Sequence, residues 1–176
     1  MFESIRTRMA YDAIRKWLTV HTRTRKTYTL ETAATVAVLF DATIEKTRNE
    51  SLAWIKTLQK SGKKVQVLGF FNEKKPPAPT PEFDFFTAKE TSWTFVPNGE
   101  KATAFIAAKN DILLCVNPGE LPAISWVAAK CTASMKIGMA THHHNDYDLQ
   151  IDTPTEKGVH FFAEQLHFYL GKIKTH

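Results

Sequence analysis

The feature that most restricts the fold of this chain is a set of short runs that are apolar almost throughout. Residues 35–40 (TVAVLF) and 112–116 (ILLCV) are continuous apolar segments, and residues 64–71 (KVQVLGFF) and 135–139 (MKIGM) come close. A strand with one wet face alternates polar and apolar residues, whereas a strand covered on both faces does not. Helical stretches separate these runs. One starts near Thr47 and Glu50, spaced as a capping box, carries Leu52, Ile55 and Leu58 on its buried side, and closes at Gly62. Others cover residues 100–109, after a Pro97-Asn98-Gly99 turn, and residues 122–130. The last opens at residues 153–156 (TPTE), a capping box with proline at the first helical position, and runs to about Lys172.

Strand and helix in alternation describe a parallel sheet covered on both sides. The expected fold is α/β, a Rossmann-like three-layer sandwich on a mostly parallel sheet of five to six strands, with a basic N-terminal helix. Residues 83–86 (FDFF) supply a short third strand and residues 147–152 a half-buried sixth. Only residues 140–145 lie between the fifth and sixth strands, too few for a crossover helix, so the sixth is expected to return antiparallel at an edge.

Charge divides the chain differently. The first 28 residues hold Arg6, Arg8, Arg15, Lys16, Arg23, Arg25 and Lys26 against Glu3 and Asp12, a net +5. The whole chain has 23 bases and 18 acids, also +5, so residues 29–176 are neutral. The expected organisation is a basic arm over residues 1–28 followed by a single domain over residues 29–176. Met9, Ala13, Trp17 and Val20, with Ala10, Ile14 and Leu18, recur at helical spacing, and Arg8, Arg15 and Lys16 gather on the opposite side. Residues 21–27 keep the charge and lose the apolar repeat, as an extended connector would.

Several function classes lack their signatures. The seven glycines form neither a dinucleotide fingerprint nor a P-loop, and GxSxG, HExxH and EF-hand patterns are also missing. No cofactor is implied, and the residues point away from catalysis. No apolar run approaches the roughly 20 residues of a membrane span, and no secretory leader is evident. Cys115 and Cys131 lack CxxC spacing and sit in apolar or helical patterns, as buried thiols of a reducing compartment do. A cytoplasmic location follows.

A basic arm on a neutral body suits a polyanion, so Arg8, Arg15, Lys16, Arg23, Arg25 and Lys26 are the candidate contacts to RNA or the ribosome. The same helix, by its apolar side, could instead dock a protein partner or its own domain. A competing expectation is a nucleotide or phosphorylated metabolite beyond the strand carboxyl ends, held by Asp41, Thr43, Asn117 and Thr141. Asp41 there can equally cap its own turn. His142, His143 and His144 form a weak metal candidate, because neighbours in a loop rarely converge on one ion. Trp54, Trp93, Trp126 and the Phe83, Phe85, Phe86 cluster read as core rather than as base-stacking platforms.

The segments LFDAT (39–43), SGKK (61–64), FDFF (83–86), DILL (111–114), KIGM (136–139) and YDL (147–149), with Leu121-Pro122 and Ala128-Ala129, occur in an order that resembles an uncharacterised family of small Bacteroidota proteins. That resemblance covers nearly the whole chain and implies the fold and the basic helix, but no activity. Residues 111–149 also resemble a short stretch of heptosyltransferase-type glycosyltransferases, in which a D-apolar-apolar strand, a helix and a KIG-like strand recur. Those enzymes need a second Rossmann domain, for which this chain has no room.

Overall fold

Strands apolar on both faces demand helices on both sides, and the computed structural model, which describes residues 1–174, supplies them. The order along the chain is α1 (Phe2–Val20), β1 (Thr35–Asp41), α2 (Glu45–Lys60), β2 (Lys64–Phe71), β3 (Phe85–Thr87), α3 (Glu100–Ala107), β4 (Ile112–Val116), α4 (Pro122–Lys130), β5 (Met135–Met139), β6 (Leu149–Ile151) and α5 (Gly158–Leu170). The six strands form one sheet in the order β3-β2-β1-β4-β5-β6, and every neighbouring pair is parallel. Connections run one way from β1 and the other way from β4, so the switch point lies between these two strands.

Alternate residues of β1 serve opposite faces. Val36, Val38 and Phe40 meet α2 and α5 through Trp54, Ile55, Leu58, Phe162 and Leu166. Ala37 and Leu39 meet α3 and α4 through Ala102, Phe105, Ile124 and Val127. A third cluster joins Tyr11 and Ile14 of α1 to Trp126 of α4, so α1 lies as an additional layer outside the sandwich. Cys115 and Cys131 are free and buried, and burial pushes both thiols up to about 12, which leaves them inert as nucleophiles.

The sixth strand is parallel, not antiparallel. β6 is three residues long and pairs with residues 137–139 of β5, so the chain needs to fall back only about 10 Å. An extended loop covers that distance without a helix. The loop crosses the sheet face through Tyr147, whose ring lies directly on Gly138; a Cβ added there would sit 2.6 Å from the ring.

Three local expectations also change. β3 starts two residues later than the FDFF run, because Phe83 instead packs its ring against Gly69, Phe40 and Phe71. Helix α2 starts at Glu45 with Ile44 as an uncapped N-cap, and Thr47 and Glu50 lie inside it. Glu50 Oε2 accepts the Val159 backbone N–H at 2.9 Å, and so supplies the acceptor at the start of α5 from another helix. The last helix accordingly begins at Gly158, after a single 3-10 turn over Thr155–Lys157, rather than at Thr153. Gly62 does close α2, with φ +84° directly after the C-cap.

Replacing Gly138 by alanine displaces the Tyr147 ring, because the ring occupies the space of the new methyl group. The expected loss is about 1–3 kcal/mol of unfolding free energy, read from urea denaturation.

Candidate nucleic-acid interface

Helix α1 lies along α4 by a stripe of Ala10, Tyr11 and Ile14, continued by Trp17 edge-on to Trp126 at 6.4 Å. The buried stripe is rotated from the one expected. Met9 is 47% exposed and Val20 is 75% exposed, so both face outward with Phe2 and Ile5. Polar groups complete the docking: the Tyr11 hydroxyl donates to the Glu120 carbonyl and lies 3.1 Å from Ser125 Oγ. Burial pushes that phenol up to about 12, so it stays a donor. Arg6 Nε donates to the Trp93 carbonyl at 2.8 Å, and Lys130 sits 5.0 Å from the Trp17 ring and 5.6 Å from Trp126.

On the outward side, Arg8, Arg15 and Lys16 are all exposed. Arg15 has an exposed carboxylate, Asp12, at 3.5 Å, a pair that solvent screens strongly. Lys26 lies 5.0 Å from the Tyr28 ring and is likewise exposed. Arg8, Lys16 and Lys26 make no ion pair among the described residues.

Arg23 behaves differently. Its side chain is 6% exposed and all five of its donors are used: on Asp146 Oδ2 (3.0 Å), the Asp146 carbonyl (2.9 Å), Asp148 Oδ2 (2.6 Å), and the carbonyls of Ala133 (3.2 Å) and Ser134 (2.8 Å). Arg25 pairs with the other oxygen of Asp148. Lys136 meets the same cluster from the sheet. Its fully buried ammonium donates to Asp146 at 2.9 and 3.1 Å and to the Ala128 and Ala129 carbonyls at 2.7 and 3.3 Å, at the negative end of α4. Burial pulls the Lys136 ammonium down, and Asp146 opposes that shift. Burial would raise the Asp148 carboxyl, but hydrogen bonds from the Lys136 backbone N–H, Arg23 and Arg25 outweigh it and hold the group below its ordinary value. The pattern of charge alone did not reveal this cluster; its one local signal is a lysine inside an otherwise apolar strand.

The four strand-end candidates each hold a loop. Asp41 Oδ1 accepts the Thr43 N–H at 2.9 Å, Thr43 Oγ1 accepts from Asn72 N at 2.9 Å, and Thr141 Oγ1 accepts from His143 N at 3.1 Å. Asn117 clamps the turn into α4, accepting from Leu121 N at 2.8 Å and donating to its carbonyl at 3.2 Å. Asn117 and Thr141 line one small cavity, of about 20 Å³, with Glu120, His144 and Asp146, but Asp41 and Thr43 lie outside it. A cavity of about 520 Å³ does open nearby, between the first turn of α1, Phe70 and Asn72 after β2, Phe95, and the entry to α4 at Gly119–Ala123. Its ionisable lining side chains are Glu3 and Glu120, with no lysine, arginine or histidine. In the histidine run, His143 stacks on Tyr11 at 3.5 Å with its Nε2 3.8 Å from Glu120, while His142 and His144 are exposed. Among the described residues no group of three or more His, Cys, Asp or Glu is placed to hold a metal ion.

The aromatic residues separate as well. Trp54 and Trp126 are 7% and 5% exposed and belong to the cores, and Phe83, Phe85 and Phe86 pack against β2. Trp93, expected in the core, is 54% exposed.

These elements define a doubly wound, all-parallel α/β protein with a basic helix docked outside its second layer. The chain belongs to a family of unknown function, DUF6913, whose model matches residues 6–173 and so includes both the helix and the sheet. Neither the curated proteins nor the solved structures compared with the chain give a match. No helix among the described residues is long and apolar enough to cross a membrane.

Asp146→Ala leaves Arg23 and Lys136 without their shared carboxylate, and is expected to cost about 3–5 kcal/mol in denaturant unfolding. Lys136→Met, which leaves Arg23 paired, is expected to cost less. The lowered pKa of Asp148 makes stability complete above the unfolded carboxyl value of about 3.9 and lost as pH falls through the lower folded value. Unfolding free energies between pH 7 and pH 3 should therefore fall below about pH 4, and Asp148→Asn should flatten that limb.

Proposed function

We propose that this protein is a non-enzymatic binding protein that contacts RNA, free or on the ribosome, through the outward side of α1 and Lys26 near the end of its connector. The observation that carries this reading is that α1 is docked by one side only, leaving Arg8, Arg15 and Lys16 exposed on the other, with Lys26 close by in sequence. Phosphate contact needs clustered cations in reach of solvent and no special spacing. The interface is narrower than the charge count of the arm. Arg23 is committed to Asp146 and Asp148, and Arg25 shares Asp148, so neither adds a free cation. Four exposed bases, one of them beside the exposed carboxylate of Asp12, imply weak, salt-sensitive binding.

For a single strand, the affinity should fall with a log-log salt slope of about −0.7 for each phosphate contacted. The combined change of Arg8, Arg15, Lys16 and Lys26 to glutamine should remove most of the binding and leave the melting temperature nearly unchanged. Arg23→Gln should do the opposite, lowering the melting temperature through the lost ion pairs. Binding that is absent at low salt, or indifferent to salt, overturns the reading.

A second reading, a small enzyme or ligand sensor, draws support from the 520 Å³ cavity at the carboxyl ends of β2 and β4. Two carboxylates and no basic side chain line it, which suits an amine-bearing ligand better than a nucleotide or sugar phosphate. A thermal-shift screen spanning both classes separates them, since a ligand present well above its dissociation constant raises the melting temperature. The reading expects a hit among amines that Glu120→Gln weakens; a screen without hits overturns it.

A further inference from the structure

We infer that the RNA engaged by α1 is single-stranded, and that one unpaired base stacks on Trp93 beside the Arg6 guanidinium. This inference rests on the RNA reading above and specifies its partner. An indole ring left 54% exposed, when the other two tryptophans of the domain are packed away, forms a surface feature that core packing does not explain.

The turn that carries the ring is held. It is closed by Ser92 N to the Val96 carbonyl at 2.9 Å, Phe95 N to the Ser92 carbonyl at 3.0 Å and Val96 N to Ser92 Oγ at 3.1 Å, and Phe95 takes φ +62° to make it. The indole N–H of Trp126 donates to the Thr94 carbonyl at 3.1 Å and ties the turn to α4. Arg6 binds the Trp93 carbonyl from α1, and its guanidinium carbon stands 5.7 Å from the Trp93 ring and 4.4 Å from the Phe95 ring. Phe2, one turn before Arg6 on the same side of the helix, is 79% exposed. A cation thus lies beside an exposed aromatic ring on a fixed turn, with a second exposed aromatic one helical turn away.

Aromatic rings and arginine planes both stack on nucleobases, and their alternation with cations is the chemistry of single-strand binding. A duplex buries its base faces within its own stack, so it can use the bases of α1 but not the Trp93 ring. Every base presents a π face, so little sequence preference is expected.

The test measures anisotropy of a labelled oligouridine of about 12 nucleotides and of an RNA hairpin of similar charge, in low salt. Trp93→Ala is expected to weaken binding of the single strand roughly fivefold to a hundredfold and to leave hairpin binding unchanged, while Trp93→Phe keeps most of the affinity. In the wild-type protein, the Trp93 indole N–H resonance, assigned by its loss in Trp93→Phe, should shift on titration with the oligouridine even if Trp93→Ala proves unstable. Unchanged single-strand affinity in Trp93→Ala, or an unmoved Trp93 resonance at saturation, overturns the stacking inference; if Arg15→Gln with Lys16→Gln still weakens binding, the RNA reading survives it. Failure of the wild-type protein to bind either RNA overturns both.

Discussion

Lys136 stands second in a five-residue strand in which every residue is buried, and the packing around its ammonium organises one whole side of the molecule. A buried cation needs a carboxylate and hydrogen-bond acceptors, because desolvation would otherwise cost several kcal/mol. Asp146 supplies the carboxylate, and the last turn of α4 supplies two carbonyls. Asp146 in turn receives Arg23, and Asp148 two residues on receives both Arg23 and Arg25. One buried charge therefore fixes where the β5–β6 loop lies, how α4 ends against β5, and where the connector from α1 attaches.

That attachment gives the arm its character. Held by Arg23 at one end and by Tyr11, Ile14 and Trp17 along its length, α1 is docked by one defined side. A helix tethered only by a flexible connector would present its bases in all directions. A docked helix holds Arg8, Arg15 and Lys16 in fixed relation to the turn that carries Trp93. The net +5 of the first 28 residues thus splits into a structural share that faces acids within the protein and an outward share that faces solvent.

Much of the fold was legible in the sequence, since strand and helix identity follow from local periodicity. β1, β2, β4, α4 and β5 occupy the residues that their apolar runs imply. The direction of β6 was not legible, because chain length alone does not say how far a strand must travel, and a three-residue strand needs very little. The capping role of Glu50 escaped for a related reason: its partner, Val159, is 109 residues away, and a capping box is a strictly local pattern. The candidate interface was legible as a set of bases and not as a surface, because Arg23 meets Asp146 across 123 residues. Trp93 read as core from the apolar residues around it, yet its ring lies on the outer side of a tight turn.

By itself the sequence determined that a neutral, doubly wound α/β body carries a basic amphipathic helix, because hydrophobic period and charge segregation are properties of neighbouring residues. Only the tertiary structure decided which of those bases remain free, which tryptophan stays in water and which loops the polar strand ends hold. Those outcomes depend on groups brought together from distant parts of the chain, where burial forces a charge to find a partner and a tight turn leaves a ring in solvent.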